Sequence, residues 1–374
     1  MKEREVALLM KIISFFKKHW KSIIIKSVAF IFVSLFMCFT LNFLLVPKLL
    51  STNIGSVMAD ASAQDDNVDI LFLGSSRVYR SVDSPYLSNK LNKNILNLAY
   101  DESNFYASYH LLVELAKTKD IKELYLEVTT PNFYRETTRE EVYIYQLLTG
   151  SNKSDYAKGL GLEYKDSKLF NFVNHIKNFS NGRFVQNVKS KLTKSVQIGD
   201  LIETINCEYM GRGYIKASQE IKNANNMVLP SSYFKNGVYW GEEAALDFQV
   251  EYFYKIIEFC EENSIRLNFF TSPFSYLITL QYIEEMDTFN EFVKSVAKER
   301  KIKFLDFSLT HKNIAVWEPE MYYDINHCNY KGATQLADLL TQICVEVEDG
   351  MFIEKTWFYG SYSEMALDYD LIEV

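Results

Sequence analysis

The stretch that decides the fold is VDILFLGSSRVYRS, residues 68–81. Its first half, Val68–Gly74, is a short apolar run that ends at a glycine. A strand with one wet face would alternate, so such a run reads as a strand buried on both faces. The chain then turns, and two hydroxyls, Ser75 and Ser76, fall where it leaves the sheet. A hydroxyl at a strand-to-helix turn is lifted to the carboxyl edge of the sheet, and the N–H groups after it can hold a developing oxyanion. Alone this is a weak signal, because serine in a Gly-Ser-Ser turn more often caps a helix.

Outward from this stretch the pattern recurs. ILNLA (95–99), ELYLEV (123–128), RLNFFTS (266–272) and KFLDFS (303–308) are four further strand-like runs. Apolar residues at helical spacing fill 106–118, about 246–263, about 283–300 and about 331–347. Strands separated by helices indicate a parallel sheet covered on both faces. The expected fold is therefore α/β: a three-layer, doubly wound, flavodoxin-like parallel sheet whose ligands sit beyond the carboxyl ends of the strands. The interval from about 133 to 239, rich in Lys, Asn, Ser and Tyr, breaks this rhythm and reads as an inserted, mostly helical region. The α/β domain then covers 67–350, and the tail 351–374 packs on the core or on a partner.

The N-terminus is of another character. Residues 1–26 carry a basic cluster, and SVAFIFVSLFMCFTLNFLLV (27–46) contains no ionisable group. A helix of that length reaches about 30 Å, the thickness of a hydrocarbon core. Residues 47–66 read as a polar stalk that turns acidic. Positive charge resists translocation, so the expected arrangement is a single-pass anchor in a lipid bilayer, N-terminus cytoplasmic and the rest outside. A cleaved signal peptide fits less well, since the small-residue triplet Ala61–Ala63 lies far beyond the apolar run. A buried core helix is disfavoured by the one-sided lysines.

Over all 374 residues, 48% hydrophobic and 24% charged content excludes a disordered chain. A net charge of -8, from 40 basic and 48 acidic residues, excludes a broad nucleic-acid footprint. Five cysteines without a CxxC pair exclude a zinc ribbon or a dense disulfide framework. Cys207, Cys260, Cys328 and Cys344 are compatible with disulfides or with free buried thiols.

A second informative stretch is YDINHCNYKGA (323–333), which follows the fifth strand and opens the last helix. It sets Asp324 three residues before His327. A serine nucleophile needs a base whose other ring nitrogen is held by a carboxylate, and one loop at this spacing supplies both. Cys328 beside His327 lacks the further ligands zinc requires, so no metal or cofactor is expected.

Taken together, 69–80 and 324–333 resemble the SGNH/GDSL hydrolase superfamily. The resemblance implies a triad of Ser76, His327 and Asp324, with Gly74 at the family's glycine and Ser75 replacing its aspartate. It also implies oxyanion donors near Ala99 or Tyr100 and, in place of the family's asparagine, Asn132. A GSS-type turn behind an N-terminal anchor is most similar to a branch containing the D-alanyl-lipoteichoic acid biosynthesis and alginate O-acetylation proteins. That similarity implies acyl transfer or ester hydrolysis on a cell-surface polymer beside a multispanning membrane acyltransferase. Arg77 and Arg80 flank the nucleophile as candidate anion clamps, although pairing with Asp83 or Asp101 to shape the turn is the preferred reading. A non-catalytic scaffold, favoured by the departures at the oxyanion positions, and a lipase with an apolar groove are the alternatives.

Overall fold

Apolar runs too short for helices and too continuous for a half-wet sheet become five parallel strands in the computed structural model. The structure describes residues 2–46, 53–63, 67–136, 138, 140–159, 206–222, 245–279 and 281–369, with four further positions between 185 and 192. These fall into two units: Leu49–Leu160 with Val196–Val374, and Met1–Lys48 with Gly161–Ser195.

The smaller unit is built on α1 (Lys2–Leu45), whose portion Lys17–Leu45 is long and apolar enough to cross a membrane. Within that portion Phe30, Phe32 and Phe36 are exposed. The Lys191 ammonium donates to the carbonyls of Asn42 and Phe43 near the end of α1. The Asn42 carbonyl also accepts the Val46 N–H, whereas the residue four on from Phe43 is Pro47, which has no N–H to give, and the lysine supplies a donor there.

In the larger unit, α2 (Asn53–Ala63) precedes β1 (Asn67–Leu73), α3 (Ser76–Ser81), α4 (Ser84–Leu91) and β2 (Ile95–Asn97). Next come α5 (Phe105–Ala116), β3 (Asp120–Glu127), α6 (Thr130–Tyr134), α7 (Glu141–Leu147) and α8 (Gly150–Gly159). A hairpin of β4 (Cys207–Gly211) and β5 (Tyr214–Ala217) leads to α9 (Asp247–Glu262), β6 (Arg266–Thr271), α10 (Tyr276–Thr279) and α11 (Ile283–Arg300). After β7 (Lys303–Asp306) the chain closes with α12 (Tyr330–Glu348), α13 (Glu354–Trp357) and α14 (Tyr362–Asp368).

The parallel sheet runs β2-β1-β3-β6-β7, with Phe72 opposite Tyr125 and Leu73 opposite Leu126 across the β1–β3 pair. The order reverses at β1, which places a topological switch point at its carboxyl end, where α/β sheets bind ligands. Aromatic packing fills the faces: Phe72 stacks on Tyr125 at 4.9 Å, and Phe253 bridges Phe105 at 5.0 Å and Phe269 at 5.3 Å.

Four features differ from the sequence reading or complete it. The interval read as a stalk, 47–66, contains α2, packed into the α/β unit rather than standing free: Ile54, Val57 and Ala61 are buried along one face. The Glu140 carboxyl accepts the Ile54 N–H at 3.1 Å, and Asp60 accepts from Tyr209 Oη and the Arg212 N–H. The described part of 133–239 comprises helices together with the β4–β5 hairpin, and the rest of that interval lies outside the described residues. The tail packs on the core: Phe358 pairs with Thr310, and Tyr362 Oη donates to buried Asp306 at 2.7 Å. Cys207, Cys260, Cys328 and Cys344 are all free buried thiols.

Candidate active site

The Gly74-Ser75-Ser76 turn divides its work among three residues. A Cβ on Gly74 would lie 2.5 Å from Val78 Cγ2 and 2.6 Å from Glu127 Cβ, so only glycine lets β1 and β3 close beneath α3. Ser75 is the N-cap of α3; its hydroxyl accepts the Arg77 N–H at 3.3 Å. Ser76 is thereby the first helical residue, its side chain at the surface of the turn and its own N–H without an intrahelical acceptor. From the end of β3, the buried Glu127 carboxyl accepts the Ser75 N–H at 2.7 Å and pins the turn to the neighbouring strand.

The facing loop is equally built. Tyr322 and Cys328 pair across it as an antiparallel bridge, and the Tyr323 N–H donates to the His327 carbonyl at 2.8 Å. Buried Asn329 caps α12 through its carbonyl oxygen and donates its amide to the carbonyls of Glu320 and Gln219. Cys328 packs under Gly332, where a Cβ would sit 3.0 Å from Cys328 Cβ, and burial pushes its thiol up to about 12.

These two loops meet. His327 Nε2 lies 2.7 Å from Ser76 Oγ, and His327 Nδ1 lies 2.8 Å from both Asp324 oxygens. Asp324 Oδ1 also accepts the N–H groups of Asn326 and His327 at 2.8 and 3.0 Å. Burial raises the Asp324 pKa, but the His327 hydrogen bond and charge and these N–H donors outweigh it and hold the carboxyl below its usual range. The arrangement is that of a nucleophile, a base and a group that orients the base.

The three side chains open on a pocket of about 380 Å³ at the carboxyl edge of the sheet. Its walls come from the turn after β1, from Asp101 and Glu102 beyond β2, from Thr129, Pro131 and Arg135 beyond β3, and from the Tyr323–His327 loop. This lining is polar and charged, with Pro131 its one aliphatic member, so the apolar groove expected of a lipase is not what surrounds Ser76.

Ala99, Tyr100 and Asn132 are placed elsewhere. Tyr100 N–H donates to the Gly74 carbonyl at 3.0 Å and Ala99 N–H to Asn97 Oδ1 at 3.3 Å, so both donors are committed inside the core. The Asn132 amide donates to Ser103, and its oxygen accepts from Thr129, which spends both ends within the β3–α6 turn and its neighbour. Of the arginines, Arg77 is buried against the Phe274 ring at 3.6 Å and donates to the Ser272 carbonyl. Arg80 Nη1 lies 2.7 Å from Cys207 Sγ, with the guanidinium 5.2 Å from the Tyr323 ring centre. The acids named as their partners are engaged differently: Asp83 caps α4, and Asp101 accepts from Tyr79 Oη. Glu127 and Arg135 carry no motif; only strand adjacency brings them to the site.

No family model matches the chain, and no curated protein does. Solved structures resemble it distantly. One is a protein assigned to the G-D-S-L lipolytic family from Desulfitobacterium hafniense DCB-2, with 11% identity, a TM-score of 0.35, and coverage of 74% of this chain and 99% of that one. Another, assigned as an acylhydrolase from Bacteroides fragilis NCTC 9343, has 11% identity, a TM-score of 0.37, and coverage of 78% and 94%. A GDSL-like lipase from Bacteroides thetaiotaomicron VPI-5482 has 11% identity, a TM-score of 0.35, and coverage of 79% and 98%. These likenesses are too distant to bear on the site, whose chemistry rests on its own distances.

Proposed function

We propose that the protein is a membrane-anchored serine acyl-transfer enzyme, an esterase or acyltransferase, with Ser76 as nucleophile, His327 as general base and Asp324 orienting it. One observation carries this reading: the unbroken relay from Ser76 Oγ through His327 to Asp324. Ser76 Oγ attacks the ester carbonyl while His327 Nε2 takes its proton, giving a tetrahedral oxyanion. The oxyanion collapses as His327 returns that proton to the departing alkoxide, which leaves an acyl-serine. A second hydroxyl, from water or a glycan, gives its proton to His327 and attacks the acyl carbon, and as the acyl–Oγ bond breaks His327 returns that proton to Ser76 Oγ. The Ser76 N–H is the oxyanion donor nearest at hand. The basic residues ahead of the apolar span support a cytoplasmic N-terminus and an extracytoplasmic site. A cell-envelope polymer is then the accessible substrate, and a multispanning acyltransferase a fitting source of acyl groups.

A fluorophosphonate probe should label the full-length protein and fail to label Ser76→Ala. Undiminished labelling of that variant would remove Ser76 from the mechanism. The commitment of the Ala99, Tyr100 and Asn132 donors favours a second reading, a weakly active or inactive scaffold for an envelope-modifying complex. Complementation separates the two: a scaffold tolerates His327→Ala, and an enzyme does not.

A further inference from the structure

We propose that Arg135 is an anion-binding subsite of the Ser76 pocket, so that the molecule acylated or deacylated there carries a phosphate or carboxylate. The proposal rests on the acyl-transfer reading for its substrate, but not for the binding itself. Three arginines line the pocket, and two are spoken for: Arg77 by Phe274 and the Ser272 carbonyl, Arg80 by Cys207 and Tyr323. The guanidinium of half-buried Arg135 makes no hydrogen bond or ion pair among the described residues, although its backbone is fixed on three sides. Its N–H donates to the Pro131 carbonyl at 3.2 Å, and its carbonyl accepts from Gln249 Nε2 at 2.7 Å and Asn104 Nδ2 at 3.4 Å.

The acids of the pocket are engaged. Asp324 is held by His327 and two N–H groups, Asp101 accepts from Tyr79, and Glu102 has a partner of its own. The three arginines of the lining balance its three acids in formal charge, and Arg135 is the one among the arginines whose guanidinium donors are not taken up by a described residue. A guanidinium offers a planar fork of donors that matches carboxylate and phosphate oxygens, and in a concave, partly dry site such bonds are stronger than on an open surface. Its position on the segment leaving β3, next to the switch point, suits a group that reads substrate.

The test is calorimetric titration of the full-length protein in detergent with phenylphosphonate, with benzoate and with neutral benzyl alcohol, which separates the phosphate-like from the carboxylate source. Wild type and Ser76→Ala should bind at least one anion better than the alcohol. Arg135→Ala and Arg135→Gln, each checked for native melting, should weaken that binding by about 10- to 100-fold, with Arg135→Lys between. Equal binding by wild type and both neutral variants, or no preference for either anion in wild type, overturns the subsite. Arg135-dependent binding together with Ser76-independent probe labelling would instead sink the acyl-transfer reading and leave the subsite standing.

Discussion

Glu127→Ala is the sharpest perturbation of the nucleophile turn that leaves the relay side chains untouched. The carboxyl it removes accepts the N–H of buried Ser75 at 2.7 Å from a strand 52 residues away in sequence. With the acceptor gone, that N–H has no alternative in a turn closed by Val78 on one side and the β1–β3 pair on the other. A buried donor left unsatisfied costs about 1–3 kcal/mol. If the turn relieves that cost by rotating Ser76 away from His327, reactivity falls by roughly 5- to 150-fold. The assay is the second-order rate of fluorophosphonate labelling, read beside the melting temperature. Glu127→Gln retains a carbonyl oxygen at the same reach and should restore most of the rate. An alanine variant that folds and is labelled at the wild-type rate would refute the argument.

Three further outcomes concern the relay, a buried acid and the tail. Asp324→Asn keeps an acceptor for the Asn326 and His327 N–H groups but can leave His327 in the wrong tautomer. Labelling should fall by about 10³–10⁴ with little change in melting. Because the Asp324 carboxyl is held low, the stability its contacts provide is present above its unfolded value of about 3.9 and lost only as pH falls through the folded one. Glu140 behaves oppositely: burial, helped by the charge of Asp101, raises its pKa to about 8 against an unfolded value of about 4.3. Its favourable contribution is therefore complete below about pH 4 and is lost as pH rises to 8, and Glu140→Gln should flatten the melting profile across that window. Tyr362→Phe removes a donor from buried Asp306 and should lower stability by about 1–3 kcal/mol, measured by denaturant titration.

The five strands of the parallel sheet were legible because each holds a short apolar run bounded by polar or small residues, whereas β4 and β5 were not, and α11 begins and ends where its periodicity does. The α2 helix was not legible as a packed element. NIGSVMADASA has the small, polar composition of a linker, although Ile54, Val57 and Ala61 at helical spacing were the available signal. That Ser76, His327 and Asp324 meet was legible because two local spacings, the turn after β1 and the Asp-x-x-His loop, carry all three. The oxyanion candidates went astray for a physical reason: whether a backbone N–H is free depends on its partner in three dimensions, and Gly74 claims that of Tyr100. Glu127 and Arg135 reach the pocket and its turn only through the pairing of β1 with β3 and the turn that follows it, which composition does not encode.

The β4–β5 turn has a bearing on solubility as well as shape. β2 is an outer strand of the sheet, and its Asn97 N–H donates to the Arg212 carbonyl, while Arg212 Nη1 reaches Asn94 and the Ile95 carbonyl. Gly213 fits because a Cβ there would lie 1.8 Å from the Asn97 carbonyl oxygen. The hairpin therefore blunts a margin that would otherwise offer unpaired backbone to another chain. Past the end of β7, on the other side of the sheet, the tail is held by the bridge of Phe358 to Thr310. Trimming the hairpin to widen access to the pocket would uncover a ladder edge, and such shortened variants should self-associate before they lose their fold.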